Sequence, residues 1–206
     1  RSTLTANGSG PVSFATTLDG AKTLAVNTQG AVTFGGAVGG VTPLVSLATN
    51  AGGTTAINGG SVTTSGLAGQ SYGDAVTLGA NTVLDADAGA INFATILNGT
   101  YTLAVNTTGT TTFGNAVGGI DRLVSLTTNA GGITAINAGS IRTSGADGQV
   151  FNDAVTLGVD TTFEAVAGII TFADTVDSGV IAARSLLANT QGETWFAGDV
   201  GGTRPL

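Results

Sequence analysis

The sequence predicts an all-β fold, a parallel β-solenoid (β-helix), on three observations. The chain repeats itself every 79 residues. Its short segments alternate apolar and polar residues with a period of two. Turn residues recur about every ten positions. Lys22–Gly79 and Tyr101–Gly158 align without a gap, with 40 of 58 positions identical, and a partial third copy begins at Ser185. Self-similarity at a fixed period marks a repeat architecture.

The segments follow one another as VSFATTLDG, KTLAVNTQG, VTFGGAVGG, TPLVSLATNAGG, TAINGG, SVTTSGLAGQSYG, AVTLGAN, TVLDADAG and INFATILNG. They are rich in β-branched and aromatic residues, and helical spacing is nowhere sustained. Alternation places Val12 with Phe14, Leu24 with Val26, Val32 with Phe34 and Ile91 with Phe93 on a common inward side. Turn signals fall at Asn7-Gly8, Asp19-Gly20, Gly39-Gly40, Gly52-Gly53, Asn58-Gly59, Asn98-Gly99, Gly118-Gly119 and Gly131-Gly132. Gly and Asn tolerate the positive φ of tight corners.

About eight such segments fill one repeat. At two strands per coil the repeat closes after four coils of about 20 residues, giving roughly ten coils stacked at ~4.8 Å. At three per coil it does not close on a whole number unless some segments are corners. The alternative fold is a tandem array of β-sandwich repeats, against which stand the scarcity of Pro and Trp and the uniform segment length. The expected organisation is one continuous array over 1–206: a partial copy over 1–21, copies over 22–100 and 101–184, and a partial copy over 185–206. The chain starts and stops inside a repeat and shows no capping segment, so it reads as a piece of something longer. Four extra residues have entered between Asp174 and Arg184, just ahead of the third copy. That loop, around Asp177–Ala183, should bulge from a corner, because a strand would lose register.

Composition narrows function. The chain is 42% hydrophobic, only 9% charged, carries 34 Gly and has a net charge of −7. The six cations, Arg1, Lys22, Arg122, Arg142, Arg184 and Arg204, are scattered. A basic stripe for phosphates is missing, which argues against nucleic acid as a partner. Without Cys there are no disulfides or thiolate metal sites; without His the commonest general base is missing. No apolar run reaches the length of a membrane span, so membrane insertion is not expected.

Candidate polar residues mostly have a twin one repeat away, which points to scaffold rather than to a single active site. Asp74 and Asp153 each precede AVTLG and read as Asx turns that start a strand. Asp85 and Asp87 could offer alternating carboxylates to calcium, but their counterparts are Glu164 and Val166. Asn27, Asn106 and Asn189, with Asn50/Asn129 and Asn58/Asn137, could stack as amide ladders. Thr-rich runs lack the regular T-x-T array that ice binding needs. Asn7, Asn98 and Asn106 begin chance matches to the glycosylation pattern. Trp195 should point outward as an isolated aromatic. No catalytic, cofactor-binding or metal-binding residue is assigned, and no cofactor is expected. An enzyme on this scaffold, acting on polysaccharide, would need unlike polar residues at one place; Asp174 and Asp177 near the insertion are the residues to change in testing it.

Runs such as TLAVNTxGxxTFGxAVGG, LVSLxTNAGGxTAINxGS and DAVTLG resemble the repeat regions of giant bacterial surface adhesins, the filamentous-haemagglutinin-like and β-strand-repeat proteins. The resemblance spans essentially the whole chain. It implies a β-helical, extracellular or cell-surface protein acting in adhesion or biofilm matrix. The family's secretion and tip-binding domains have no counterpart in these 206 residues. Expected partners are the chain itself, by end-to-end or lateral stacking, or a host or neighbour-cell surface through domains outside this sequence. The expected role is a structural stalk and not an enzyme; the alternative is a self-assembling extracellular filament or surface-layer protomer.

Overall fold

The computed structural model describes residues 2–6, 8–179 and 182–206. It is a parallel β-solenoid of nine coils, each about 22 residues long. All strand pairings among the described residues are parallel, and every strand pairs with strands one coil before or after it. At the ~4.8 Å spacing of paired strands, nine coils make a rod roughly 43 Å long.

Each coil has three faces, not two. The first face runs from Ser2–Thr5 through Thr23–Asn27, Ser46–Thr49, Gln70–Tyr72, Ile91–Phe93, Thr110–Phe113, Ile133–Ile136 and Ala154–Leu157 to Val176–Ser178. The second runs from Val12–Phe14 to Leu97–Asn98, then through the single-residue bridge at Val117 to Ser140–Thr143, Thr161–Ala165 and Leu186–Thr190. The third begins with bridges at Leu18 and Val38 and continues from Ser61–Thr63 to Thr194–Phe196.

The 79-residue repeat therefore holds eleven segments, ten strands and one bridge, where the sequence suggests eight. At three per coil this is three and two-thirds coils. The expected closure after four whole coils is not what forms. Each copy instead lands one face earlier than the copy before it. Thr23–Asn27 lies on the first face, and its equivalent Thr102–Asn106 lies on the third. Successive copies are thus turned by a third of a revolution and advanced by about 18 Å. A sequence feature returns to the same face only after three copies.

The inward columns are the core. On the first face Val26, Thr49, Tyr72, Phe93, Phe113, Ile136 and Leu157 stack in register. The aromatic rings trace the rotation. Phe14 stacks on Phe34 on the second face, Phe93 on Phe113 on the first, and Phe172 on Phe196 on the third, at centroid distances of 5.4, 5.5 and 4.9 Å. The inward residues expected from alternation, Val12/Phe14, Leu24/Val26, Val32/Phe34 and Ile91/Phe93, all join this core.

Two inward polar residues tie coils together. The buried Gln70 Nε2 donates to the carbonyls of Val62 and Asp85, at 3.0 and 2.9 Å, and its Oε1 accepts from the Tyr72 hydroxyl at 2.9 Å. Burial raises the Tyr72 pKa, which keeps the phenol protonated as that donor. In the next copy Gln149 repeats the donor half, to Ile141 and Glu164, but Phe151 stands where Tyr72 was. Gln149 Oε1 is left buried without a donor. Phe151→Tyr should supply that donor and stabilise the chain by about 1 kcal/mol, provided the ring keeps its place. Chemical denaturation checks this; no gain, or a loss, sinks the reading of Gln149 Oε1 as an unmet acceptor.

Candidate functional site

The polar residues singled out in the sequence are drawn into bonds between coils. Asp74 and Asp153 do not make Asx turns with their own strands. Asp74 Oδ1 accepts from the N–H of Gly53, 21 residues earlier, at 2.7 Å, and Asp153 Oδ1 accepts from Gly132 at 2.8 Å. Their second oxygens accept from the hydroxyls of Thr55 and Thr134. Each clasps the NAGG corner of the preceding coil. The two carboxylates lie at different corners, nearly four coils apart, so they form no pair.

The asparagines cap corners instead of forming amide ladders. Asn50 and Asn129 each accept, at 2.8 Å, the N–H of a threonine on the preceding coil, Thr28 and Thr107, and their side-chain amides donate to the next residue's carbonyl. The side-chain Oδ1 atoms of Asn58 and Asn137 lie where a Cβ on Gly79 or Gly158 would have to be. Thr28, Thr107 and Thr190 form a second set of corner bolts. Each hydroxyl donates to a glycine carbonyl of the preceding coil (Gly10, Gly89, Gly168) and accepts from the glycine N–H two residues on.

Asp85 and Asp87 sit together at one corner, where Asp85 Oδ1 accepts the Asp87 N–H and Asp87 takes a positive φ of 49°. The Asp87 carbonyl accepts from Thr108 N–H at 2.7 Å. The corner is therefore locked by backbone bonds. Among the described residues no group of three or more acidic side chains converges.

The four extra residues ahead of the third copy lie at the corner between the first and second faces of coil nine, between Val176–Ser178 and Leu186–Thr190. Val180 and Ile181, at the heart of this insertion, lie outside the described residues. Asp177 itself is ordinary scaffold. Asp19, Asn98 and Asp177 are repeat equivalents, and each holds the glycine loop one coil ahead. Asp19 Oδ1 accepts from Val41 and Thr42, Asn98 Oδ1 from Ile120, and Asp177 Oδ1 from Thr203 and Arg204. In that loop Gly39 and Gly118 have φ near +68° and +66°, and a Cβ on either would meet the carbonyl oxygen of Thr63 or Arg142 on the following coil. Asp174 is exposed and accepts its neighbour's N–H, from Thr175, at 2.7 Å. Asn98 is buried and bonded, which removes it as a glycosylation acceptor. Asn7 lies outside the described residues. Trp195 points outward beside Thr171, 65% exposed.

One constellation was not legible as such. Arg122, Arg142 and Glu164 come from three successive coils and meet on the second face. Arg122 Nη2 lies 2.7 Å from Glu164 Oε1, and Arg142 Nε 3.2 Å from Oε2. The Arg122 hydrogen bond, joined by the charges of Arg122 and Arg142, holds the Glu164 carboxyl below its ordinary value against the opposing effect of desolvation. The residues stand 20 and 22 apart in sequence, which is one coil each; that spacing was the available signal. In the preceding copy the same positions are Pro43, Thr63 and Asp85. The trio is partly exposed, and its two cations are turned onto one carboxylate, so it staples three coils and presents no open group for acid–base work.

No family model, no curated protein and no solved structure matches this chain.

Proposed function

We propose that this chain is a stalk segment of a large secreted bacterial adhesin or biofilm-matrix protein, located at the cell surface or outside the cell. Its role is mechanical: a stiff rod that holds other domains away from the surface. The observation that carries this reading is the use of repeated polar groups. The side chains of Asp19, Thr28, Asn50, Asp74 and Gln70, and of their equivalents one copy on, are consumed in bonds between coils. A chain selected to bind a ligand at one place would leave unlike groups free there. A chain selected for length and stiffness would bolt each coil to the next, since in such arrays stability accumulates from neighbour to neighbour.

Antibody raised against the chain should label intact cells or the matrix of the producing bacterium. A signal confined to the cytosol overturns the proposal. Cleavage of a polysaccharide by the purified chain, lost in Asp174→Asn, would replace the stalk with an enzyme.

A further inference from the structure

We infer that a second copy of this chain docks sideways against the corner between the third and first faces in coils two to four. This names a partner surface for the proposed rod and rests on that reading. Two large apolar side chains stand free on this corner: Val41 is 86% and Leu67 81% exposed. Between the corner and the first face runs a groove of about 630 Å³, lined by Ala21, Lys22, Ala25, Val45, Ala48 and Ala68. The corner is rigid. Val41 and Thr42 are held by Asp19, and the backbone N–H groups of Ser65 and Gly66 donate to Leu44 and Val45 at 2.8 and 2.9 Å. Exposed apolar side chains beside a small-residue groove on a fixed frame offer a surface for an apolar partner.

The second copy of the repeat does not keep the groove. Tyr101, Thr127, Asp147 and Val150 replace Lys22, Ala48, Ala68 and Ser71, so larger or charged groups fill it. It does keep a tip. Ile120, the equivalent of Val41, is 77% exposed and is held by the Asn98 bond to its N–H at 3.0 Å. The next residue, Asp121, is exposed, and Lys22 at the groove is the chain's only lysine. Among the described residues neither is in an ion pair. An aliphatic tip with an adjacent carboxylate thus matches an apolar groove with an adjacent ammonium.

The repeat geometry makes this contact intermolecular. Tip and groove are separated by the one-third turn and the ~18 Å advance of one copy, so the tip cannot fold back into its own groove. The Ile120–Asp121 tip and the groove sit at different corners of the rod, so their contact is heterologous, does not close on itself and builds open lateral assemblies.

Sedimentation velocity over a concentration series of the whole chain tests this. The wild type should associate. Ile120→Ser and Ala48→Arg should each weaken association on the order of tenfold to a hundredfold. Lys22→Glu and Asp121→Lys should each weaken it several-fold, and the double variant should recover it. Lys22, Ile120 and Asp121 are exposed, and the half-buried Ala48 lies on the outer side of its strand, so β-sheet circular dichroism and melting temperature should stay unchanged. A wild type that remains monomeric, association indifferent to Ile120→Ser or Ala48→Arg, or a charge swap that fails to recover overturns the contact. Loss in Ala48→Arg alone would mean that another element occupies the groove, and also overturns it. A monomeric chain with intact sheet structure removes this contact and leaves the stalk reading; a cytosolic location does the reverse.

Discussion

Phe93→Ala is expected to cost about 3–5 kcal/mol, the usual range for emptying a buried phenylalanine site. Phe93 is 1% exposed and is the middle ring of a column, with Tyr72 at 5.3 Å and 14° and Phe113 at 5.5 Å and 2°. Removing it takes away apolar area and leaves a gap between two flat rings that cannot both move in, because their strands are pinned by parallel pairing on each side. In a stacked array each coil leans only on its neighbours, so the damage stays in coils four to six. The variant should unfold in denaturant with a separated or broadened transition, and hydrogen exchange should quicken at Gln70–Tyr72 and Thr110–Phe113 before it quickens at Ala154–Leu157. A loss under about 1 kcal/mol, or one spread evenly along the rod, would contradict this packing. Phe14, the sequence equivalent of Phe93, supplies a control: it is only partly buried and stacks on one ring, Phe34, so Phe14→Ala should cost less.

The same column shows what could be read from the sequence and what could not. Val32/Phe34 and Ile91/Phe93 announce their inward side by alternation alone, because a strand's period is fixed by backbone geometry. The number of faces is not announced. Val38, on the third face, and Val117, on the second, are one-residue bridges followed at once by Gly39 and Gly118, so one segment of each of those coils looks like a turn. Missing it, and reading SVTTSGLAGQSYG and INFATILNG as one segment each where each holds two strands, turns eleven segments into eight and a repeat that precesses into one that closes. The roles of Asp74, Asn50 and Asp19 depend on register between coils. Each bonds a backbone N–H 21 to 23 residues away, and local pattern carries no information at that distance until the coil length is known. Arg122, Arg142 and Glu164 were visible as charges; only the coil length makes them neighbours. For Asp74 and Asp153 the expected Asx turn gives way to a clasp across coils, and the duplication shows in the matching bonds the two carboxylates make.

Asp153 offers the second large effect, because it is a carboxylate with 1% exposure. Asp153→Ala removes the acceptor of both the Gly132 N–H and the Thr134 hydroxyl, and should cost about 1–3 kcal/mol at neutral pH. Asp153→Asn keeps an oxygen for Gly132, and its amide can donate to Thr134 Oγ in the reverse sense, so geometry is preserved while the charge goes. Desolvation by burial is the largest influence on this group and raises its pKa; the Gly132 and Thr134 hydrogen bonds lower it, and the charge of Asp174 raises it further. The sign follows from linkage. A carboxyl raised on folding adds stability that is fully present below the ordinary aspartate range and is lost as pH rises through the folded value. Glu164 acts in the opposite sense: held low by its arginines, it adds stability above the ordinary glutamate range that is lost as pH falls through its folded value. Asp153→Asn removes the first limb and leaves the second. Relative to wild type the variant should therefore be at its best near neutral pH, with the advantage shrinking towards about pH 3, where wild-type Asp153 is itself neutral. Melting curves of the wild type, Asp153→Asn and Asp153→Ala across that range decide it. A difference between Asn variant and wild type that is flat with pH, or that grows towards acid, would mean that burial does not control this carboxylate.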